Sequence, residues 1–399
     1  MADKPRIPLA RPWMDEREAE AAGRVIRSGW ITQGPEVAAF ESEFAKAVGA
    51  QHACAVASGT AALHLALLAV GVGPGDEVVT VSHSFVATAG AIRYTGAMPV
   101  FVDIDAGTFN IDPERVEDAI TPRTRAILCV HQLGMPCDLR ATLAIAGRRG
   151  IAVVEDAACA VGSEIRIETR WEAIGRPHGD IACFSFHPRK LLSTGEGGMI
   201  TTSNPDWDRQ CRLRRQHGMS VAPYARHLSR TVVHEAYTTV GYSYRMTDIQ
   251  AAIGRVQLTR LPELIARRRL LAQRYAALLR DVPGVTPPVE PAWARSNWQS
   301  YAARLDEALD QEAVMQRLLH AGVATQRGVM CAHREAAYPR GTWSCGVAPG
   351  GCDCAPGTCR RLCESERARD HVILLPLYHE LTEDDQSAVV EALRGACQR

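Results

Sequence analysis

The alternation of apolar runs with helical stretches constrains the fold of this 399-residue chain more than any other feature. The predicted strands are residues 54–57, 78–81, 99–102, 126–130, 151–154, 183–186 and 199–202. The predicted helices of the same region are residues 14–29, 36–48, 58–70, 85–94, 113–120 and 139–149. Nearly continuous apolar strands that alternate with helices are typical of a mostly parallel sheet with helices on both faces. The sequence therefore predicts an α/β fold.

The pattern changes in the C-terminal third, where residues 247–279 form one long helical stretch. Pro262 lies inside this stretch and is predicted to break or kink the helix. Beyond Pro283 the pattern is that of a smaller α+β lobe. Its predicted elements are a strand at 301–305, a helix at 310–320 and a closing helix at 383–396. We expect a large domain at residues 1–255 and a small C-terminal domain at residues 256–399.

Composition excludes several classes of partner. Lys plus Arg and Asp plus Glu both number 45, so no net field would hold nucleic acid or an anionic membrane. The first residues lack the apolar run of a signal peptide, and the longest apolar stretch, residues 61–72, is too short to span a bilayer. We expect a cytoplasmic protein, whose 13 cysteines are then mostly thiols. The cysteines predicted to be small core residues are Cys54, Cys129, Cys159 and Cys183.

An acid at the end of a strand and a lysine on a later turn carry the strongest chemical signal. Residues 151–156 read IAVVED and end at Asp156, and residues 184–190 read FSFHPRK and end at Lys190. Pyridoxal phosphate (PLP) chemistry needs a lysine that holds the aldehyde as a Schiff base. It also needs a carboxylate that keeps the pyridine nitrogen protonated, so that the ring withdraws electrons. Lys190 and Asp156 are therefore the predicted catalytic pair.

Two segments are candidates for holding a phosphate. Ser58, Gly59 and Thr60 follow a strand and open a helix, where backbone N–H groups and hydroxyls form an anion site. Ser185, five residues before Lys190, could donate to the same phosphate. The alternatives are an ordinary Ser/Thr helix cap for the first segment and a serine on a strand face for the second. Phosphate binding is the favoured interpretation because Lys190 and Asp156 are both present.

Phe85 follows a predicted strand end and could stack on a flat ring. The alternative is a core residue, since a buried aromatic at a helix start usually packs in the interior. His187 and His217 have no partner at the spacing of metal ligands, so both are predicted to make local hydrogen bonds.

A cysteine-rich segment at residues 339–363 has no such clear interpretation. Its cysteines are Cys345, Cys352, Cys354, Cys359 and Cys363, and their spacing does not match a paired C-x2-C zinc site. The sequence leaves two alternatives open: a structural metal or iron–sulfur site, or an insertion loop with free or reversibly paired thiols. No metal ligand is assigned.

Taken together, these segments and the run YRMTDIQAA at residues 244–252 resemble the DegT/DnrJ/StrS family of PLP-dependent sugar aminotransferases. The resemblance extends from residue 7 to the closing helix. It implies the fold of the type I PLP-dependent transferases, with a large domain built on a mostly parallel sheet and a smaller C-terminal α+β domain. It also implies a homodimer with active sites at the subunit interface.

The resemblance assigns a role to each candidate residue. Lys190 would be the Schiff-base lysine and proton shuttle, and Asp156 the partner of the pyridine nitrogen. Gly59, Thr60 and Ser185 would hold the phosphate, Phe85 would stack on the ring, and residues 30–34 would line the substrate opening.

Three features depart from the family pattern. Cys159 stands where the family often has Gln near the phenolic oxygen of the cofactor. Ser243 stands where it often has an Asn that reaches the neighbouring subunit's phosphate. The insertion after Tyr338 is not typical of the common members. Cys159 and Ser243 are kept as cofactor-binding candidates, since a serine could still donate from its shorter reach.

The predicted function is transamination from an amino acid, L-glutamate being favoured, to a keto sugar that is favoured to be nucleotide-linked. A free cyclitol ketone would use the same core residues. One rival is a PLP-dependent sugar dehydrase with an iron–sulfur cluster, which Lys190 disfavours, since such enzymes tend to have histidine there. Another is a PLP-binding protein without turnover. Specificity is expected in loops near Trp30, at residues 164–178 and at residues 330–338.

Overall fold

The computed structural model describes residues 6–346, 354–355 and 357–398. The helices are α1 (Glu16–Ser28), α2 (Pro35–Val48), α3 (Gly59–Ala69), α4 (Val86–Tyr94), α5 (Pro113–Ala119), α6 (Leu139–Arg149), α7 (Pro205–Arg214), α8 (Pro223–His227), α9 (Asp248–Leu278), α10 (Gln311–His320), α11 (Cys363–His371) and α12 (Glu383–Cys397). The strands are β1 (His52–Val56), β2 (Glu77–Val81), β3 (Met98–Val102), β4 (Thr124–Val130), β5 (Ala152–Asp156), β6 (Glu164–Ile167), β7 (Arg170–Ala173), β8 (Ile181–Ser185), β9 (Gly198–Thr202), β10 (Val285–Thr286), β11 (Ala294–Arg295), β12 (Tyr301–Leu305), β13 (Gln326–Arg327) and β14 (Val372–Leu375).

A seven-stranded sheet with the order β1-β9-β8-β5-β4-β2-β3 forms the centre of the larger lobe. Strands β8, β5, β4, β2 and β3 pair in parallel, and β9 runs antiparallel between β8 and β1. All seven predicted strands belong to this sheet, so the predicted α/β fold is confirmed. The carboxyl ends of β1, β5 and β8 lie at one edge, as parallel strands require.

Both faces of this sheet are buried. In β4, Ala126 and Leu128 pack into one apolar core with α3, whereas Ile127 and Cys129 pack into a second core with α2 and α6. This division follows from the two-residue period of a strand, which points successive side chains to opposite faces. The sheet therefore lies between two layers of helices, and the loops at its carboxyl edge can present functional side chains.

Helix α9 is continuous from Asp248 to Leu278, so the predicted break at Pro262 is wrong. Pro262 is exposed, whereas its neighbours Leu261 and Leu264 are buried in the main core. A proline inside a helix loses one hydrogen bond and costs about 3 kcal/mol. Because α9 is anchored on both sides of the proline, this local penalty does not interrupt it.

The smaller lobe has a four-stranded sheet of order β10-β12-β14-β13, in which all paired strands are antiparallel. Its core includes Tyr275 from the end of α9, Leu318 from α10 and Val389 from α12. Ile7 joins this core as well and pairs with Val323, so residue 7 packs with the smaller lobe although it precedes the larger one in sequence. The expected boundary between residues 255 and 256 lies inside α9, which contributes to both lobes.

A third, three-stranded sheet, β11-β6-β7, was not predicted because its strands are only two to four residues long. Among the described residues, no helix is long and apolar enough to cross a bilayer.

Candidate active site

A cavity of about 630 Å³ lies at the carboxyl edge of the large sheet. The predicted residues Gly59, Thr60, Asp156, Ser185 and Lys190 all line it. They come from four segments of the chain: the start of α3, the end of β5, the end of β8 and the turn that follows β8. The fold therefore brings together five residues that the sequence places up to 131 positions apart (190 − 59). The cavity volume lies within the usual range of small-molecule sites.

The start of α3 forms one end of the cavity. Ser58 caps the helix by accepting a hydrogen bond from the Ala61 N–H at 3.1 Å. A side-chain carbon added at Gly59 would lie 2.8 Å from Cβ of Ser185 and 3.3 Å from its hydroxyl. The hydroxyl of Ser185 and the first N–H groups of α3 are thus neighbours. Unpaired N–H groups and the positive end of the helix dipole favour an anion at this point.

A close backbone approach produces this proximity. Gly198, at the start of β9, pairs with both Val56 of β1 and Ser185 of β8. A side-chain carbon at Gly198 would lie 2.4 Å from the carbonyl oxygen of Ser58, so only glycine fits there. The glycine run at residues 195–198 thereby allows β8 to bring its serine beside the α3 helix start.

Asp156 ends β5 and is 5% exposed. Its Oδ2 accepts a hydrogen bond from Oγ1 of Thr88 at 2.7 Å, and its Oδ1 accepts one from the Ala158 N–H at 3.2 Å. Thr88 has a single hydroxyl proton, which it donates to the carboxylate. The 2.7 Å contact between Ser84 and Thr88 is therefore a donation from Ser84. This chain of hydroxyls fixes the orientation of the carboxylate in the cavity wall.

Lys190 lies on the turn after β8, where its N–H donates to the carbonyl oxygen of His187 at 2.8 Å. Its Nζ lies 3.0 Å from Sγ of Cys159, within hydrogen-bonding distance. In the part of the chain that the structure describes, Lys190 forms no ion pair with a carboxylate. In the described chain, no carboxylate therefore restrains the position of the Lys190 amine in the cavity. His187 makes a local hydrogen bond through Nδ1, as predicted.

Phe85 and Cys159 line the cavity, whereas Ser243 does not. Phe85 directly precedes α4 and is 62% exposed, so the core interpretation of this aromatic is wrong. Cys159 is partly exposed in the cavity, so it is not a core residue, unlike the buried Cys54, Cys129 and Cys183. Ser243 is exposed, and its backbone pairs with that of Gln216.

Several cavity residues were missed by sequence reasoning. Thr88 lies one helical turn after Phe85, and this spacing was a usable signal. Gln132, Arg189, Gln299 and Gln326 also line the cavity, but no local pattern marks the glutamines. Of the expected specificity loops, the segment 330–338 reaches the cavity through Met330. No residue of 164–178 and no residue near Trp30 lines it.

The described part of the cysteine-rich segment packs beside β3, and none of its residues lines the cavity. Cys345 and Cys359 are buried with Phe101 and Leu362, and Ser344 hydrogen-bonds with the backbone of β3. In the described ranges, no group of three or more His, Cys, Asp or Glu side chains could hold a metal ion. Cys352 lies outside the described residues, so the two alternatives for this segment stay open.

The cavity residues fit PLP. The helix start with its hydroxyls matches a phosphate, and its close backbone approach leaves no room for a side chain at Gly59. The buried carboxylate of Asp156 matches a protonated ring nitrogen, and the amine of Lys190 matches an aldehyde. An anion site, a carboxylate and an amine in one cavity are the three groups that this cofactor requires.

Comparison with known proteins agrees with this interpretation. Residues 12–394 match the model of the DegT/DnrJ/EryC1/StrS aminotransferase family. The aminotransferase TlmJ from Streptoalloteichus hindustanus is 34% identical, with 98% of each chain covered and a TM-score of 0.85. DesV from S. venezuelae, solved with a ketimine intermediate, is 33% identical over 99% of this chain and 100% of its own, with a TM-score of 0.84.

Spr1654 from Streptococcus pneumoniae, described as a candidate sugar aminotransferase, has been solved in PLP and pyridoxamine (PMP) forms. Its PMP form is 27% identical to this chain and covers 98% of this chain and 99% of its own, with a TM-score of 0.88. The match over nearly the whole length shows that this chain belongs to the DegT/DnrJ/EryC1/StrS aminotransferase family, and it is a PLP-dependent aminotransferase of fold type I.

Proposed function

We propose that the enzyme transfers an amino group from L-glutamate to the carbonyl carbon of a nucleotide-linked keto sugar. The observation that carries this proposal is the convergence of Lys190, Asp156 and the α3 helix start on one cavity. The relatives support the substrate class, since Spr1654 is described as a candidate sugar aminotransferase.

PLP, when bound, supplies an electron-withdrawing ring that makes a proton on the neighbouring carbon removable. The residues of this chain bind and orient it. Gly59 and Thr60 would hold the phosphate with backbone N–H groups and a hydroxyl, and Ser185 would donate to the same oxygens. Asp156 would hold a proton at the ring nitrogen, since an anion there stabilises the charged form.

Lys190 would first hold the aldehyde carbon and would then move a proton between the two reacting carbons. Its Nζ lies 3.0 Å from Sγ of Cys159, so the thiol would contact the same end of the cofactor. Phe85 would cover one face of the ring, because its side chain is exposed at the cavity wall.

We also propose that the enzyme acts as a homodimer with shared active sites. Tyr94, Tyr237 and Val240 are large apolar side chains that are 61%, 62% and 80% exposed. Covering these side chains in a contact between subunits would stabilise the association, because apolar surface gains free energy when it leaves water. Ser243 lies outside the cavity of its own chain, as expected if it serves the phosphate of the partner. Mixing Lys190→Ala and Ser243→Asp proteins, each inactive alone, should then restore part of the activity, and no recovery would contradict shared sites.

The donor and the acceptor are tested in two half-reactions. Enzyme loaded with PLP is mixed with L-glutamate, freed of excess donor, and then mixed with a nucleotide-linked keto sugar or with a cyclitol ketone. We expect conversion to the PMP form in the first step. The second step should restore the PLP form and give an amino sugar in stoichiometric amount. The exposed Lys46, changed to Ala, provides the control for Lys190→Ala. Return of the PLP form with the cyclitol ketone but not with the keto sugar would show that the acceptor is a cyclitol. Elimination of a hydroxyl without net transfer of nitrogen would indicate a dehydrase.

A further inference from the structure

Residues 297–299 form a short loop of the smaller lobe that contacts both the turn that carries Lys190 and the turn that carries Cys159. Asn297 binds the turn of Cys159, and Gln299 binds the turn of Lys190. We propose that Gln299 is a positioning residue: its side-chain amide holds the backbone on both sides of Lys190 and so sets where Nζ can reach. This inference rests on the role of Lys190 in the proposed function and extends it to the smaller lobe.

The amide of Gln299 bridges the two peptide groups that flank Lys190. Its Nε2 donates to the carbonyl oxygen of Arg189 at 2.5 Å, and its Oε1 accepts from the Leu191 N–H at 2.8 Å. The N–H of Lys190 itself donates to His187. The lysine backbone is therefore held by three hydrogen bonds, two of which come from a single side chain.

Gln299 is itself firmly held. It is 7% exposed, and Nη1 of Arg268 in α9 donates to the carbonyl oxygens of both Trp298 and Gln299 at 3.0 Å. Arg268 is 4% exposed and has no carboxylate partner among the described residues. Burial lowers the pKa of Arg268 to about 10, so it is charged at neutral pH. Among the described residues, the two loop carbonyls are the hydrogen-bond acceptors of this buried cation, so moving the loop would leave the charge less compensated.

The loop is also pressed against the large lobe. Trp298 has a φ of +53°, a region that a residue with a large side chain rarely adopts. A side-chain carbon at Gly134, whose φ is +96°, would lie 2.1 Å from Oδ1 of Asn297. Asn297 donates through Nδ2 to the carbonyl oxygens of Cys159 and Val161 at 2.9 and 2.8 Å. The loop therefore fixes the two turns relative to each other.

This arrangement has a consequence for catalysis. The side chain of Lys190 must move while its backbone stays still, because Nζ serves first the aldehyde and then the reacting carbons. A displacement of about 1 Å in a catalytic group costs about 100-fold in rate. Loss of the two hydrogen bonds that Gln299 makes to the backbone on either side of Lys190 should therefore lower kcat much more than it raises the KM for the amino donor.

The test compares three variants of the full-length protein. Gln299→Met keeps the volume and removes both hydrogen bonds. Gln299→Glu keeps the acceptor for Leu191 but sets a carboxylate oxygen against the carbonyl of Arg189, unless the carboxyl is protonated. Gln386→Met is the matched control: Gln386 is buried in the same lobe and donates to the carbonyl of Leu271 at 2.9 Å, away from the lysine turn.

We expect Gln299→Met to lower kcat by about 10- to 100-fold with KM changed less than about threefold. The defect of Gln299→Glu should shrink as the pH falls, since protonation restores a donor, whereas the defect of Gln299→Met should not depend on pH. Gln386→Met should keep wild-type kcat. Should Gln299→Met fail to fold, the pH profile of Gln299→Glu carries the test.

A second readout does not depend on activity. Amide hydrogen exchange at Leu191, measured with and without bound PLP, should speed up in Gln299→Met and stay unchanged in Gln386→Met. Wild-type exchange at Leu191 together with wild-type kcat in Gln299→Met would overturn the proposal. If Lys190→Ala kept full turnover, the proposed function itself would fail, and this result is separate from any outcome at Gln299.

Discussion

The hydrogen bond between Thr88 and Asp156 offers a direct test of how the carboxylate is held. Thr88 Oγ1 donates to Asp156 Oδ2 at 2.7 Å, and both residues are almost fully buried. Thr88→Val keeps the shape of the side chain and removes the hydroxyl. A hydrogen bond to a charged group is worth about 1.5–3 kcal/mol. Because about 1.4 kcal/mol is a factor of ten, we expect kcat/KM to fall by about 10- to 100-fold.

Two comparisons show whether the loss comes from the carboxylate. Thr88→Ser restores the hydroxyl and should recover most of the activity. Thr80 is a buried threonine of β2 whose hydroxyl donates to a neutral acceptor, the carbonyl oxygen of Leu128, at 2.8 Å. Thr80→Val should destabilise the protein by about 1 kcal/mol in urea unfolding while kcat/KM stays within about twofold.

The assay is steady-state transamination with PLP at saturating concentration, together with urea unfolding of each variant. Saturation with cofactor separates a misplaced carboxylate from simple loss of PLP. Wild-type kcat/KM in Thr88→Val would refute the reasoning. So would an equal fall in kcat/KM in Thr80→Val, since that would show a general effect of losing a buried hydroxyl.

Three further changes have expected outcomes. Lys190→Ala should abolish the visible absorbance of the lysine-bound cofactor and all turnover, and a retained band in the mutant would exclude this lysine. Gly59→Ala should weaken PLP binding by about 10- to 100-fold in equilibrium titration, because the new methyl group meets Ser185 at 2.8 Å. Gly147→Ala, on α6, adds a methyl group in open space and should leave PLP binding unchanged. Equal PLP affinities of the Gly59→Ala and Gly147→Ala variants would contradict the crowding at residue 59. Burial lowers the pKa of His83 from 6.5 to about 3, so the folded protein stays neutral there while the unfolded chain binds a proton. The free energy of unfolding of the wild type, measured by urea unfolding, should then fall from pH 6.5 towards pH 3 by up to about 1.4 kcal/mol per pH unit. An equally steep fall in His83→Leu would contradict this.

The large sheet was predictable because its strands are apolar throughout and regularly spaced. Buried parallel strands such as β4 and β5 leave an unmistakable pattern in the sequence. The two-residue strands β10, β11 and β13 leave none, since their pairing depends on tertiary packing. At Pro262 the local pattern predicts a helix break that does not occur, because tertiary contacts on both sides of the proline override its local preference.

The candidate site divides in a similar way. Asp156, Lys190 and the α3 helix start could be predicted to lie in one cavity because each is a chemically distinctive group at the end of a strand or shortly after it. The local pattern could not place Phe85, since a solvent-exposed and a buried phenylalanine at a helix start look alike in sequence, and only the family resemblance assigned it to the cofactor ring. Gln299 lies 109 positions after Lys190 (299 − 190) and reaches it only because the smaller lobe folds back over the turn. A residue of this kind has no local signal that sequence reasoning could use.

The most direct test is the visible spectrum of the purified enzyme before and after addition of L-glutamate. Bound PLP should give a visible band that disappears as the amino group is transferred, with formation of the PMP form and one equivalent of 2-oxoglutarate. Lys190→Ala should lack the initial band, and Lys46→Ala should behave as the wild type. A band that ignores L-glutamate and other amino acids would contradict the account of this cavity as the site of amino transfer.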